Sequence, residues 1–303
     1  MNKNFKLMST RYNDFGINTI SDVEIFKAKM KIKNNNKKIY HIRLDYNKQT
    51  SAWDTLKFFI ETVYPQINNP FVMIISGEDL TMPKQVDPRW QEKEQLNLIR
   101  KTYDLIINHP LLLHCYIENK DSNHIKTSSI PLGINPREMP RANIDYIIKY
   151  MNNIPPIKNR DLKCICIHRT KKGDREIIDK LKINWKDFII TSKNYRHDSW
   201  YKLLQTYPFI ICAHGGGIDL CPKIWEALCV GCIPIIKHSS LDDTYDEFPV
   251  VYVDSWEKDT ITLDKLKNWI NEYSKFFDNI EIRKKWINKL YLAYWKQKIL
   301  NHF

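Results

Sequence analysis

The stretch Phe209-Ile-Ile-Cys-Ala-His-Gly-Gly-Gly-Ile-Asp-Leu-Cys-Pro-Lys-Ile-Trp-Glu-Ala-Leu228 decides the fold. Its first five residues, Phe209 to Ala213, are apolar without alternation, the pattern of a strand buried on both faces. That strand runs into Gly215, Gly216 and Gly217, three of only eight glycines in the chain. A helical pattern opens at Pro222, whose missing N–H suits a first helical turn, and Gly231 closes it. Ile233 to Lys237 is the next apolar strand. Strand, glycine turn, helix and strand in this order are the building unit of a parallel sheet covered by helices.

Working outward, the alternation continues upstream. Leu162 to His168 reads as a strand, Gly173 to Leu181 as a helix, Phe188 to Thr191 as a strand and His197 to Tyr207 as a helix. The first half is of the same kind. Ile39 to Leu44 is a strand, and Ser51 caps a helix that carries Trp53, Leu56, Ile60 and Val63 on one face until Tyr64-Pro65 ends it. Phe71 to Ile75, Leu112 to Ile117 and Ser129 to Ile134 add strands, and Ala142 to Met151 a helix. The polar, proline-containing segment Asn152 to Asp161 reads as a linker. Two helical segments, Leu263 to Phe277 and Glu281 to Leu300, end the chain. Trp286, Leu290, Tyr294 and Trp295 recur at helical spacing in the last one; such a stripe can form a stacking face for nucleic acid, but aromatics at this spacing read as core packing. The expectation is an α/β protein of two domains facing across a cleft, residues 1–155 and 156–280, with 281–303 packing back on the first.

Composition bounds the function classes. At 43% hydrophobic and 12% aromatic residues in 303, the chain has ample apolar material for packed cores, which excludes wholesale disorder. The opening residues lack the apolar stretch of a secretory signal, and the longest near-apolar run, Ala227 to Ile236, has half the length of a membrane span. Seven cysteines lie scattered in apolar surroundings, so a reducing, cytoplasmic location is expected. Cys229 and Cys232 have the spacing of half a zinc site or a redox pair, but no second pair accompanies them, and they read as small core residues. The net charge is +12, with Lys27, Lys29, Lys31, Lys33, Lys37 and Lys38 in one dense stretch. A basic nucleic-acid-binding module is therefore an alternative, although the lysines are spread and no nucleic-acid motif occurs.

The chemistry concentrates at the glycine turn. Glycines let backbone approach a ligand, and the free N–H groups of a helix start attract anions, so a phosphate-bearing ligand is the natural occupant. Lys223 in the first turn opposes the helix dipole, a cost that a bound anion offsets. Glu226, three residues on, can accept hydrogen bonds from ribose hydroxyls. His214 to Gly217 also has the form of an esterase oxyanion tetrad, but the chain contains no G-x-S-x-G nucleophile turn. It equally lacks G-x-x-x-x-G-K-[ST] and G-x-G-x-x-G, which sets aside phosphate-loop ATPases and dinucleotide dehydrogenases.

Residues Phe209 to Trp256 resemble the donor-binding half of exostosin-like glycosyltransferases, family 47 and relatives, including forms from large DNA viruses. The resemblance rests on the glycine loop, Trp225-Glu-Ala-Leu228, Gly231-Cys-Ile-Pro-Ile235, Leu241-Asp-Asp243 and Phe248-Pro-Val-Val-Tyr-Val-Asp-Ser-Trp256. Ser76-Gly-Glu-Asp79, Pro83, Glu118-Asn119 and Ile130-Pro-Leu-Gly-Ile134 resemble weaker landmarks upstream. What it implies is a GT-B architecture, two Rossmann-like domains with a nucleotide sugar held by the second. By that resemblance Glu226 holds the donor ribose, Lys223 stands where the family usually has arginine and contacts the diphosphate, and His214, Gly215, Gly216 and Gly217 line the donor pocket. Transfer from a UDP-sugar to a glycan hydroxyl, with inversion and without a metal, is the expected reaction; an inactive glycan-binding relative is the other reading within the family.

Two roles are left to fill. Arg169 and Arg175 flank the start of the helix after Leu162 to His168, where such folds bind anions, and are candidates for neutralising the leaving diphosphate. A base must take the acceptor proton; Asp79, with Glu78 beside it, follows a buried strand of the first half, and His109 and His114 are alternatives. Asp242-Asp243 lacks the Asp-x-Asp spacing of a glycosyltransferase metal site and falls in the family's Leu-Asp loop.

Overall fold

The computed structural model describes residues 6–10, 16–36, 38–44, 51–77, 79–87, 89–134, 144–168, 173–192, 195, 198–215, 217–218 and 221–303. The first half runs β1 (Val23–Phe26), β2 (Lys29–Ile32), β3 (Ile39–Arg43), α1 (Ala52–Phe58), β4 (Phe71–Ser76), α2 (Lys93–Ile107), β5 (Leu112–Ile117) and β6 (Thr127–Ser129). Then follow α3 (Ile144–Asn152), β7 (Cys164–Ile165), α4 (Asp174–Leu181), β8 (Ile189–Ile190), α5 (Asp198–Thr206), β9 (Phe209–Ile211), α6 (Lys223–Val230), β10 (Ile233–Lys237), α7 (Asp242–Tyr245) and β11 (Val251–Val253). Helices α8 (Leu263–Asp278), α9 (Ile280–Ile287) and α10 (Leu292–Leu300) close the chain. No helix among the described residues is long and apolar enough to cross a membrane.

These elements form two sheets. The first has the order β2-β1-β3-β4-β5-β6, parallel throughout except for the β1–β2 hairpin. The hairpin carries part of the lysine-dense stretch on an edge strand, where charged side chains discourage pairing with another chain. Lys33 is not free for a polyanion, since its ammonium binds Glu24 at 2.7 Å and the Asn18 carbonyl at 2.6 Å. Strand β4 is buried along all six residues, as its unalternating apolar sequence demands. Phe71, Met73 and Ile75 pack with Leu56, Phe59, Ile99 and Ile106 of the α1 and α2 side, while Val72 and Ile74 face a second core that continues into the other half. Helix α1 starts where the sequence demands, with Ser51 and Asp54 exchanging a reciprocal capping box.

The second sheet is wholly parallel, in the order β11-β10-β9-β7-β8. Counted from β7, this is the doubly wound order 2-1-3-4-5, which reverses direction between β7 and β9. The carboxyl ends of those two strands splay their following loops apart, and a crevice at that point is where such sheets bind ligands.

Several expectations need correction. The segment from Asn152 to Asp161 is packed rather than a free connection. Ile157 is fully buried, and Arg160 donates to the carbonyls of Gly231 (2.7 Å), Pro155 (2.8 Å) and Leu204 (3.3 Å). Helix α3 lies against the second sheet's helices: Tyr150 and Lys149 bind Asp198, and Gln205 donates to the Tyr150 carbonyl. Residues 130–134 follow β6 outside the sheet and bond instead to the segment near residue 8, with an isolated Ser9–Gly133 bridge and the Ile134 N–H donating to the Met8 carbonyl at 3.0 Å. The last helical pattern is broken at Tyr291, because residues 6–8 bond to the backbone there, Met8 N–H to Leu290 (2.8 Å) and Leu292 N–H to Lys6 (2.9 Å). The packing expected of the aromatic stripe is present, with Trp286, Leu290 and Trp295 buried in the shared core. Beyond α10, His302 accepts or donates a 2.9 Å bond with Tyr116 of β5, which seats the chain end on the first sheet.

Candidate functional site

The glycine loop leaves the carboxyl end of β9 and delivers the chain to the start of α6, on the β7 side of the direction reversal. Lys223, the first residue of α6, reaches across that reversal and donates to the Ile167 carbonyl just past β7. An ammonium has three donors, so two remain for another acceptor. Lys223 thus lies at the crevice that the strand order creates.

Glu226 sits one turn along α6 and is fully buried. Trp200 of α5 donates its Nε1–H to Oε2 at 2.9 Å, while Oε1 has no partner. Burial raises the carboxyl to about 7, against the opposing pull of the Trp200 hydrogen bond and the Lys223 charge. A sequence reading sees Glu226 as an open ribose acceptor; the structure encloses it between α5 and α6, because seven of the eight α6 residues are buried.

His214, the residue before the glycines, is 7% exposed. Its Nδ1 lies 3.3 Å from Asp174 Oδ2, and its Nε2 is buried without a partner. Asp174, the first residue of α4, gathers two further donors: Lys237 Nζ from the end of β10 at 2.6 Å and Trp256 Nε1 from beyond β11 at 3.2 Å. Burial pushes this carboxyl up, but the hydrogen bonds and charges of His214 and Lys237 outweigh it and hold it at about 2. Asp174, Lys237, Trp256 and Trp200 join this candidate site without having been singled out from the sequence, although all four stand inside stretches quoted there. Gly173-Asp174 at a helix start was the available signal. Arg175 follows in the first turn of α4, half-buried. Arg169, Gly216 and Glu78 lie outside the described residues.

The first half meets this loop directly. A Cβ on Gly217 would stand 2.6 Å from the Asp79 carbonyl oxygen and 3.0 Å from Thr81 Cγ2, so only glycine allows the approach. Gly77, just past β4, has φ +120° and donates its N–H to Glu118 Oε2 at 3.1 Å. Asp121 frames the next turn by accepting from Thr81 Oγ1 (2.5 Å), Lys84 N–H (2.9 Å) and Gln85 N–H (2.8 Å). Asp79 itself is half-exposed, its Oδ2 ion-paired with Arg89 at 2.5 Å, and Arg89 also grips Asp87. The structure therefore brings Asp79 and Gly217 together across the carboxyl ends of the two sheets.

The histidine alternatives fall elsewhere. His109 precedes β5, at the opposite end of the parallel sheet, enclosed by Tyr64 and Phe71. His114 lies mid-strand, bonded to Ser128 at 2.9 Å and stacked on His302, and burial holds it at about 4. Neither reaches the glycine loop. Asp242 and Asp243 have structural partners: Asp242 binds His238 and the Ser239 N–H, and Asp243 binds Ser129 and Lys120 across the two halves. Among the described residues, no cluster of histidine, cysteine and carboxylate has the arrangement of a metal site.

No family model matches this chain, and no curated protein matches it. Among solved structures, the chain is similar to a sucrose-phosphate synthase from Thermosynechococcus elongatus, at 13% identity and a TM-score of 0.40, over 87% of this chain and 70% of that one.

Proposed function

We propose that the protein is a glycosyltransferase of GT-B type that takes a nucleoside-diphosphate sugar, with UDP as the favoured nucleotide, and transfers the sugar to a glycan hydroxyl with inversion. One observation carries the reading: the reversal of strand order between β7 and β9 coincides with the glycine loop, the start of α6 and Lys223. Backbone N–H groups of a loop and helix start, with an ammonium beside them, suit a diphosphate whose charge grows as the sugar leaves. In this reading Lys223 and Arg175 neutralise the leaving group, with Arg169 as the further candidate, and Gly215 to Gly217 let the donor lie close to backbone. Glu226 accepts the ribose hydroxyls through the oxygen that lacks a partner; because the carboxyl is enclosed, that contact requires its cover to move. The 79–87 loop forms the acceptor side, where Asp79, released from Arg89, is the candidate base and Glu78 its neighbour. The resemblance of Phe209 to Trp256 to the exostosin-like family agrees with this division of labour.

The test is calorimetric titration of the purified chain with UDP, GDP, CMP and their common sugars, with and without a divalent ion, and with an oligonucleotide as control. Selective binding of one nucleoside diphosphate and its sugar supports the reading, and the divalent arm decides whether a metal takes part. Failure of all nucleotides to bind overturns it.

A further inference from the structure

The side chains around the glycine loop leave one feature that the leaving-group chemistry does not use. His214 is buried, its Nδ1 faces Asp174 and its Nε2 faces no partner. A buried ring nitrogen left without a hydrogen bond is costly, so its persistence beside a ligand loop points to a partner supplied by the ligand. What kind of partner follows from the tautomer. A carboxylate next to Nδ1 can only accept a hydrogen bond, so it favours the tautomer with the proton on Nδ1, in which Nε2 presents its lone pair. A bare lone pair repels phosphate oxygens and suits an O–H.

We infer that Asp174 and His214 form a hydroxyl-reading pair: Asp174 is a positioning residue that fixes the proton on Nδ1, and His214 Nε2 accepts a hydrogen bond from a hydroxyl of the sugar being transferred. The inference rests on the nucleotide-sugar reading and adds to it the group that reads the sugar. Asp174 is suited to this role because its own position is fixed from three directions, by His214, by Lys237 and by Trp256. Those partners come from β9, β10 and β11, so the carboxylate is tied to the carboxyl edge of three successive strands and holds the imidazole in register with the sheet. Lys237 donates to the other oxygen of the same carboxylate, Oδ1, and so leaves Oδ2 to face the imidazole.

Two readouts test it. The first is the ¹⁵N–¹H correlation spectrum of the histidine ring nitrogens in the ligand-free chain: wild type should show His214 protonated on Nδ1, and Asp174→Asn, whose amide can donate to Nδ1, should move the proton to Nε2. The second is calorimetric titration with UDP and with whichever of UDP-glucose, UDP-galactose, UDP-xylose and UDP-N-acetylglucosamine wild type binds most tightly. Asp174→Asn and His214→Ala should weaken the sugar nucleotide about tenfold relative to wild type while UDP affinity stays within about twofold, and His214→Gln, which can place an oxygen near Nε2, should recover most of the loss. A wild-type ring protonated on Nε2, or equal losses for UDP and its sugar, overturns the hydroxyl-reading role. Wild type that binds neither overturns the nucleotide-sugar reading itself. If Asp174→Asn fails to fold, the His214 variants and the wild-type spectrum decide.

Discussion

A fully enclosed carboxyl with one oxygen on Trp200 and the other without a partner favours its neutral form, and Glu226 accordingly titrates at about 7 instead of near 4.5. The linkage has a definite sign. The folded chain binds the proton more tightly than the unfolded chain, so stability from this group is complete below about pH 4.5 and is lost as pH rises through about 7. Replacing the acid with its neutral isostere, Glu226→Gln, should remove a loss on the order of 3 kcal/mol across that window, read as the difference between the two proteins' urea midpoints from acid to neutral pH. A parallel pH profile for both would place the titration elsewhere. Because ribose hydroxyls need an acceptor oxygen, nucleotide affinity of the wild type should rise as pH passes through about 7, and the glutamine variant should lack that rise. Glu226 and Lys223 are legible in the sequence because helical spacing alone places them beside the glycines. Asp174 is marked in the sequence only by its place at a helix start, and its contacts are not legible there, since its partners His214, Lys237 and Trp256 lie in three other segments of the chain.

Strands β3, β4, β5, β9 and β10 and helices α5, α6 and α8 follow from apolar runs, caps and breakers, with ends shifted by a residue or two. The hairpin β1–β2 and helix α2 do not. Strand β2 is exposed and lysine-rich, and α2 buries only five of fifteen residues, so neither carries the apolar density that marks the other elements. The contact between the glycine loop and the 79–81 segment belongs to this level as well. Gly217→Ala places a methyl group 2.6 Å from a backbone oxygen, and one loop must retreat. If donor and acceptor sides meet there, transfer should fall by at least about tenfold while nucleotide affinity changes by less than about threefold, measured by initial rates beside calorimetry. Equal losses would make the contact part of nucleotide binding alone.

The two sheets are held together by specific polar contacts as well as by a shared core. Asp243 of α7 accepts from the Ser129 N–H at 2.9 Å and lies 3.5 Å from the ammonium of Lys120, which is 4% exposed. Asp243→Ala should lower the melting temperature by a few degrees, about 1–2 kcal/mol, because it leaves a buried cation with Asn123 as its remaining side-chain partner among the described residues. An additional Lys120→Met should restore part of the loss, and a melting temperature unchanged by Asp243→Ala would mean that the apolar core alone holds the halves. At this level the amino-acid sequence is enough to establish a mixed α/β chain with parallel strands, a glycine loop before a helix and the residues flanking it, because apolar periodicity and backbone permissiveness act within a few residues. The order of strands, the enclosure of Glu226, the Asp174–His214 pair and the meeting of Gly217 with Asp79 come from folding in three dimensions. They depend on which strands become neighbours and in what register, and those pairings join residues tens of positions apart that local propensity does not connect.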